Sequence, residues 1–287
     1  MLDAYVVPLV DGVAYGLLLF VSAAGMLAAF AVGGVLNLAH GLLFALGAYT
    51  ASALTDGSWR AWGAALTVGT LAGVGGGGLL TAALTPLRGR GHLPQALLTM
   101  GVAFVGADLL RTAFGPHDLP SAPPSPLTGT VSTAGHAYPV YRLALIAAAV
   151  LIAAVGWWVM TRTRAGRIVR AATDDPQMLA ALGVNPATVH CGVLLTAGGL
   201  AGLAGVLGAP VLGTGPGTAP AVLLISLVVV VLGGMRSVPA TLGAALAVGQ
   251  VQTLGVAVMP ELAPFLLFSA MAAALVLWGR PPRGRIA

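Results

Sequence analysis

Lysine is absent from this 287-residue chain, and cysteine occurs once. Without lysine, no glycine-rich loop can place an ammonium on the phosphates of a nucleotide. Any ATP-driven work would therefore fall to another chain. The run Gly75 to Gly78 sits in an apolar stretch and reads as helix packing. Cys191 alone permits neither an internal disulfide nor a thiolate metal cage. Charge is equally scarce: 7% of residues are Asp, Glu or Arg, against about 25% in a soluble domain. With 58% hydrophobic residues and a mean hydropathy of +0.96, the chain cannot cover itself with a water-facing surface. An integral membrane protein follows.

The thirteen basic residues are all arginines, set singly or in short clusters between apolar runs. That spacing excludes a nucleic-acid binder, which would gather them on one stripe. It suits topology signals and contact with anionic lipid headgroups. No Ser/His/Asp set, paired carboxylates or metal cluster is visible, so the sequence predicts no enzyme, no cofactor and no metal. The start, Met1-Leu2-Asp3, lacks a basic region and predicts no removable signal peptide.

A bilayer core of about 30 Å needs apolar runs of roughly 20 residues. Such runs fall at 9–33, 36–55, 61–84, 93–113, 143–160, 187–211, 219–235, 239–259 and 262–279. The expected fold class is an all-α integral membrane protein, a polytopic bundle of about 8–9 segments in one domain, 1–287. Arg162, Arg164, Arg167 and Arg170 crowd one loop, and Arg280, Arg283 and Arg285 crowd the tail. Both belong in the cytoplasm by the positive-inside rule. An even number of spans lies between them, so the two assignments agree. Counting back places Arg88 and Arg90 inside, and puts the N-terminus and the proline-rich 114–142 segment outside.

Glycines at helical spacing, Gly69, Gly73 and Gly77 in one span and Gly198 and Gly202 in another, predict close helix contacts. Asn37 and His40 stand three apart in apolar surroundings beside Gly41. Buried polar groups in a membrane bundle are costly and often mark a pathway. The pair suits either the lining of a translocation path or the capping of a helix break. A displacement of 200 lays Gly33-Gly34 on Gly233-Gly234 and Asn37 on Ser237, a faint trace of two related halves. Asp108 and Arg111, at i and i+3, are expected to pair.

The segment 161–185 is the one long cytoplasmic insertion and carries its own punctuation. Asp174 suits an N-cap with Gln177 three residues on. Pro176 is tolerated in a first turn, and Gly183 supplies a stop. The short helix between would carry Met178, Leu179 and Leu182 on one apolar flank. Helices this short need support; docking into a partner's groove or lying on the membrane would supply it.

The run RTRAGRIVRAATDDPQMLAALGVN resembles the coupling loop of permease subunits of ATP-binding-cassette importers. GGVLNLAHGLLFALGAY and VLGGMRSVPATLGAALAVG are similar to two signature regions of the branched-chain amino acid permease family, shorter subunit type. Leu38, Leu179, Arg236 and Pro239 depart from the usual pattern of that family. The resemblance implies a homologous permease partner, two ABC ATPase subunits, an extracytoplasmic substrate-binding protein and the bacterial plasma (inner) membrane. It implies a translocation path at Asn37, His40, Gly41 and Ser237. It places ATPase coupling at Gly166, Arg170, Asp174, Asp175, Pro176, Met178, Leu179, Leu182 and Gly183. Two other substrates or mechanisms stay open at this point: urea or short amides, and ion-coupled transport.

Overall fold

The computed structural model describes residues 3–34, 37–87, 89–133, 136–234, 237–258 and 260–262, with single positions 265, 269, 272 and 273 beyond them. Most of the ninth expected span, 262–279, together with Arg88, Arg236, Arg280, Arg283 and Arg285, lies outside the described residues. The rest is almost entirely helical. The helices expected to cross a membrane are α1 (Asp3–Gly33), α2 (His40–Leu54), α3 (Trp59–Leu84), α4 (His92–Phe114) and α5 (Val140–Arg162). After two short helices, α6 (Arg164–Asp174) and α7 (Pro176–Ala181), come α8 (Pro186–Leu212), α9 (Thr218–Gly233) and α10 (Val238–Val258). Six of these are long and apolar enough to cross a membrane; α2 and α9 are shorter apolar helices. Together they are the spine of a multi-pass membrane protein.

The helices alternate in direction. At one end, Ser125 N–H donates to the Gly57 carbonyl (2.7 Å) and Leu119 N–H to the Thr214 carbonyl (2.7 Å). Asp11, near the start of α1, meets Tyr138 and Arg142 there. At the other end, Gly33 abuts His190, Gly34 abuts His92, and α6 packs on α1 and α8. The arginines of 162–170 mark this second end, so the two are called the hairpin end and the arginine-rich end. The beginning of α1 and the 114–139 segment share the hairpin end, as the arginine count predicts.

The hairpin itself was not expected. Residues 114–139 do carry prolines that block helix, yet β1 (Thr130–Thr133) and β2 (His136–Pro139) pair antiparallel, with Val131 opposite Tyr138. The strands are four residues each, too short for a two-residue alternation to be read in advance. Tyr138 is buried, and its hydroxyl donates to Asp11 Oδ1 (2.7 Å). Burial first, then the Asp11 carboxylate, push the phenol above its ordinary value. A raised pKa means the bond's contribution is complete below the unfolded value of about 10 and fades as pH rises through the folded value. The protection factors of the amides at 130–133 and 136–138, exchange taken relative to its intrinsic base-catalysed rate, should therefore fall above about pH 10. Tyr138→Phe should remove that pH dependence and lower local stability by about 1 kcal/mol at neutral pH.

Glycine sets how closely the helices lie. A Cβ on Gly73 would collide with the Gly198 carbonyl, one on Gly198 with the Gly73 carbonyl, and one on Gly202 with the Gly69 carbonyl. The two glycine series of the sequence thus face each other, backbone on backbone, along α3 and α8. An adjoining face of α8 repeats the device on α2, with Gly205 against the Phe44 carbonyl and Gly47 against the Gly202 carbonyl. In contrast, α4 and α5 expose Leu97, Phe104, Leu109, Leu151, Trp157 and Trp158 along their flanks. Asp108 and Arg111 on α4 are both exposed, and no ion pair joins them among the described residues. The expected pair does not form; both side chains are exposed on the outer flank of α4, where an ion pair gains little.

Candidate functional site

Two places gather the polar and charged residues singled out in the sequence. The first is the break between α1 and α2. Gly34 takes φ +65°, a left-handed conformation that ends α1. Ser22 lies eleven residues before the end of α1 at Gly33, about 16 Å along the axis. The His40 Nε2–H donates to the Ser22 carbonyl (2.9 Å), and Ser22 Oγ stands 3.3 Å from the same nitrogen. Since a carbonyl only accepts, Nε2 carries the proton and Nδ1 is left as an acceptor. After reaching the arginine-rich end, the chain therefore returns to the level of Ser22 before α2 begins. The N-terminus of α2 is buried midway through the bundle.

Asn37 shapes that start: Ala39 N–H donates to its Oδ1 (3.1 Å) and His40 N–H to its carbonyl (3.2 Å). Leu38 N–H donates to Thr99 Oγ1 on α4 (3.2 Å), and Ser22 Oγ lies 3.3 Å from Ser226 Oγ on α9. Asn37, His40, Ser22, Ser226 and Thr99 are all buried. The capping alternative for Asn37 and His40 is thus realised. It leaves Asn37 Nδ2 and His40 Nδ1 without partners among the described residues. Gly41 is also buried, where a Cβ would meet the Ala219 carbonyl of α9. Ser237 does not join this cluster. It is exposed, and its Oγ accepts from Ala240 N–H (3.4 Å) at the start of α10. The displacement by 200 still has structural content: Gly34 and Gly234 both take positive φ, +65° and +79°, and each is followed by a capping side chain.

The second place is the segment from 161 to 185 at the arginine-rich end. Most of it is helix rather than loop. Thr163 caps α6 by accepting from Gly166 N–H (3.2 Å). Gly166 is required there, because a Cβ would strike the Met160 carbonyl. Arg170 turns back to donate to that carbonyl, tying α6 to the end of α5. The N-cap of α7 is Asp175, not Asp174: its Oδ1 accepts from Gln177 and Met178 N–H, both at 2.9 Å. Pro176 occupies the first helical position, which fixes the cap at the residue just before it. Asp174 instead ends α6. Gly183, with φ +83°, follows the helix as expected.

The apolar flank of α7 divides in two. Leu179 is 4% exposed and seats the helix, whereas Met178 and Leu182 are 61% and 69% exposed. These two stand four apart and so share a face. With Asp174 and Asp175 they rim a hollow of about 240 Å³. A neighbouring cleft of about 260 Å³ runs from Pro176 and Ala172 to Gly33 and His190. The short helix is thus continuous with the end of α1 and the start of α8.

The sequence model of one protein family, described as branched-chain amino acid transport system / permease component, matches residues 9–277. The chain belongs to that family. No curated protein and no solved structure matches it. As a transport permease component the chain is a transport subunit rather than an enzyme. The permease's match takes in the α1–α2 break and the α6–α7 segment alike.

Asp175→Ala in the permease should cost α7 about 1 kcal/mol by leaving two N–H groups unmet. Because Leu179 still anchors the helix, uptake should fall only severalfold, and hydrogen exchange should quicken at 177–182 alone. Ser22, Ser226 and Thr99 were missed in the sequence, where each is a single hydroxyl in an apolar run without a local signal.

Proposed function

We propose that the permease forms the translocation path of an ATP-binding-cassette importer for branched-chain and other hydrophobic amino acids. It would sit in a bacterial plasma membrane, the arginine-rich end in the cytoplasm, with the six long helices crossing and the shorter α2 and α9 completing the bundle. A homologous permease would stand beside it, with two ATPase subunits on the cytoplasmic face and a substrate-binding protein on the other.

The observation that carries this reading is α7. It has a capped start and a glycine stop, a buried anchor in Leu179, and two large apolar side chains left in the open. An apolar pair on a short, rigidly seated helix suits a groove on a partner. ATP-driven closure of the ATPase pair would move α7 and, through α6 and α8, the helices on either side. Asn37, His40 and Gly41 would line or brace the path, and Ser237 would serve the second helix break. An ion-coupled carrier built on a carboxylate would instead need that group near the midplane. Among the described side chains of the spans, the carboxylates of Asp11 and Asp108 stand toward the hairpin end.

The test is purification of the tagged permease from its native membrane in mild detergent, with mass spectrometry of what accompanies it. A stoichiometric ATPase and a second permease, with ATP-dependent uptake of leucine after reconstitution, are expected. A solitary chain that transports without ATP would overturn the reading.

A further inference from the structure

Two buried polar atoms at the α1–α2 break are unmatched, and they are of opposite kind. Asn37 Nδ2 is a donor and His40 Nδ1 an acceptor; their residues are 4% and 0% exposed. Leaving such groups unmet inside a membrane bundle is strongly unfavourable. Both flank the Ala39 N-cap of α2, and Asn37 is held there by the bond from Ala39 N–H to its own Oδ1. The amide therefore presents Nδ2 at the helix terminus. The terminus adds donors of its own: Ala39 and His40 N–H are met by Asn37, Leu43 N–H by the Ala39 carbonyl (3.2 Å), and Gly41 and Leu42 lie between as first-turn N–H groups. A helix start with free N–H groups and a neutral amide donor favours an anion. A lone acceptor beside it favours a cationic N–H.

We propose that this break holds the head group of the transported amino acid, its carboxylate on the α2 terminus and Asn37 Nδ2, its ammonium on His40 Nδ1. The inference rests on the importer reading and narrows the substrate to molecules bearing a free carboxylate, against neutral amides. Specificity for the side chain would come from the apolar helices around the break. Ser22 and the α2 backbone fix the His40 ring so that Nδ1 stays an acceptor.

Asn37→Asp and Asn37→Ser are the informative variants, because each keeps an oxygen able to cap Ala39 while changing the unmatched atom. Binding of radiolabelled L-leucine would be measured on the permease, with whatever chains copurify, in nanodiscs. Competitors are isovalerate, which keeps the carboxylate, and L-leucinamide, which lacks it. Unlabelled leucine should displace the label at concentrations at least about tenfold below those of either competitor, since each lacks one of the two charge-assisted contacts. Asn37→Asp should weaken leucine binding by about thirtyfold or more, and Asn37→Ser by about tenfold.

Equal competition by leucinamide would overturn the proposal. So would wild-type affinity in both variants, which would leave only a structural water at the break. A wild-type assembly that performs ATP-driven uptake yet binds no leucine at the permease would sink this inference while sparing the importer reading. A solitary, ATP-independent chain that binds leucine through Asn37 would do the reverse.

Discussion

Leu182→Asp should lower ATP-driven uptake by about a hundredfold while the permease stays inserted and folded. Leu182 is 69% exposed, so the bundle does not depend on it, and an exposed substitution moves stability by about 0.5 kcal/mol or less. A docking groove would respond differently. A carboxylate carried into an apolar socket loses its hydration without a partner, a penalty of about 3 kcal/mol or more, which is roughly a hundredfold in occupancy. Leu179→Asp makes the contrast, because Leu179 is buried and its replacement should unseat α7 and lower the unfolding midpoint as well. Uptake and unfolding measured together separate the two. Normal uptake with Leu182→Asp would refute the assignment of α7 to coupling.

Gly73→Leu should have the largest effect on stability. The Gly73 Cα lies against the Gly198 carbonyl and beside Gly202, so a side chain there must push α8 away from α3. The displacement would travel further, because α8 is held equally closely against α2 by Gly47 and Phe44. Overpacking of this kind costs about 3 kcal/mol, and a lowering of the unfolding midpoint by about 5 °C is expected. Gly75→Leu, two residues on in the same helix, is the control. Nothing lies within 4 Å of a Cβ there, and removing a helix glycine gains up to about 1 kcal/mol. Its midpoint should hold or rise. A midpoint that falls equally in both would mean that backbone contact is not what holds α3 to α8.

Hydropathy alone located the six helices long enough to cross a membrane and the two shorter apolar ones, because in a chain this apolar the breaks are the rare events. Arg and Pro clusters mark them almost to the residue, as at Arg162 and Pro186. The glycine contacts were legible for a related reason: residues four apart on two helices have one economical way to meet. Reading failed where the information is local and short, or where it is distant. Two adjacent aspartates both suit a cap, and the capping-box spacing to Gln177 favoured Asp174. The proline at the first helical position outweighs that spacing and selects Asp175. The α6 helix was hidden by its arginines, which read as a loop until Thr163 is recognised as a cap. The contacts of Asp11 with Tyr138 and Arg142 span more than 120 residues, and no periodicity foretells them. The same holds at the break, where Asn37 and His40 were legible but Ser22, Ser226 and Thr99 were not.

The glycine contacts also decide which parts of the molecule an electrolyte can reach. Carbonyl against Cα along α2, α3 and α8 offers nothing to screen. The arginines from 162 to 170 lie exposed on the opposite kind of surface. A Debye length of about 10 Å in 0.1 M salt falls to about 3 Å in 1 M. Potassium chloride should therefore leave the bundle's unfolding midpoint untouched while loosening whatever rests on the arginine-rich end. Ionic strength becomes a handle on assembly that does not disturb the fold.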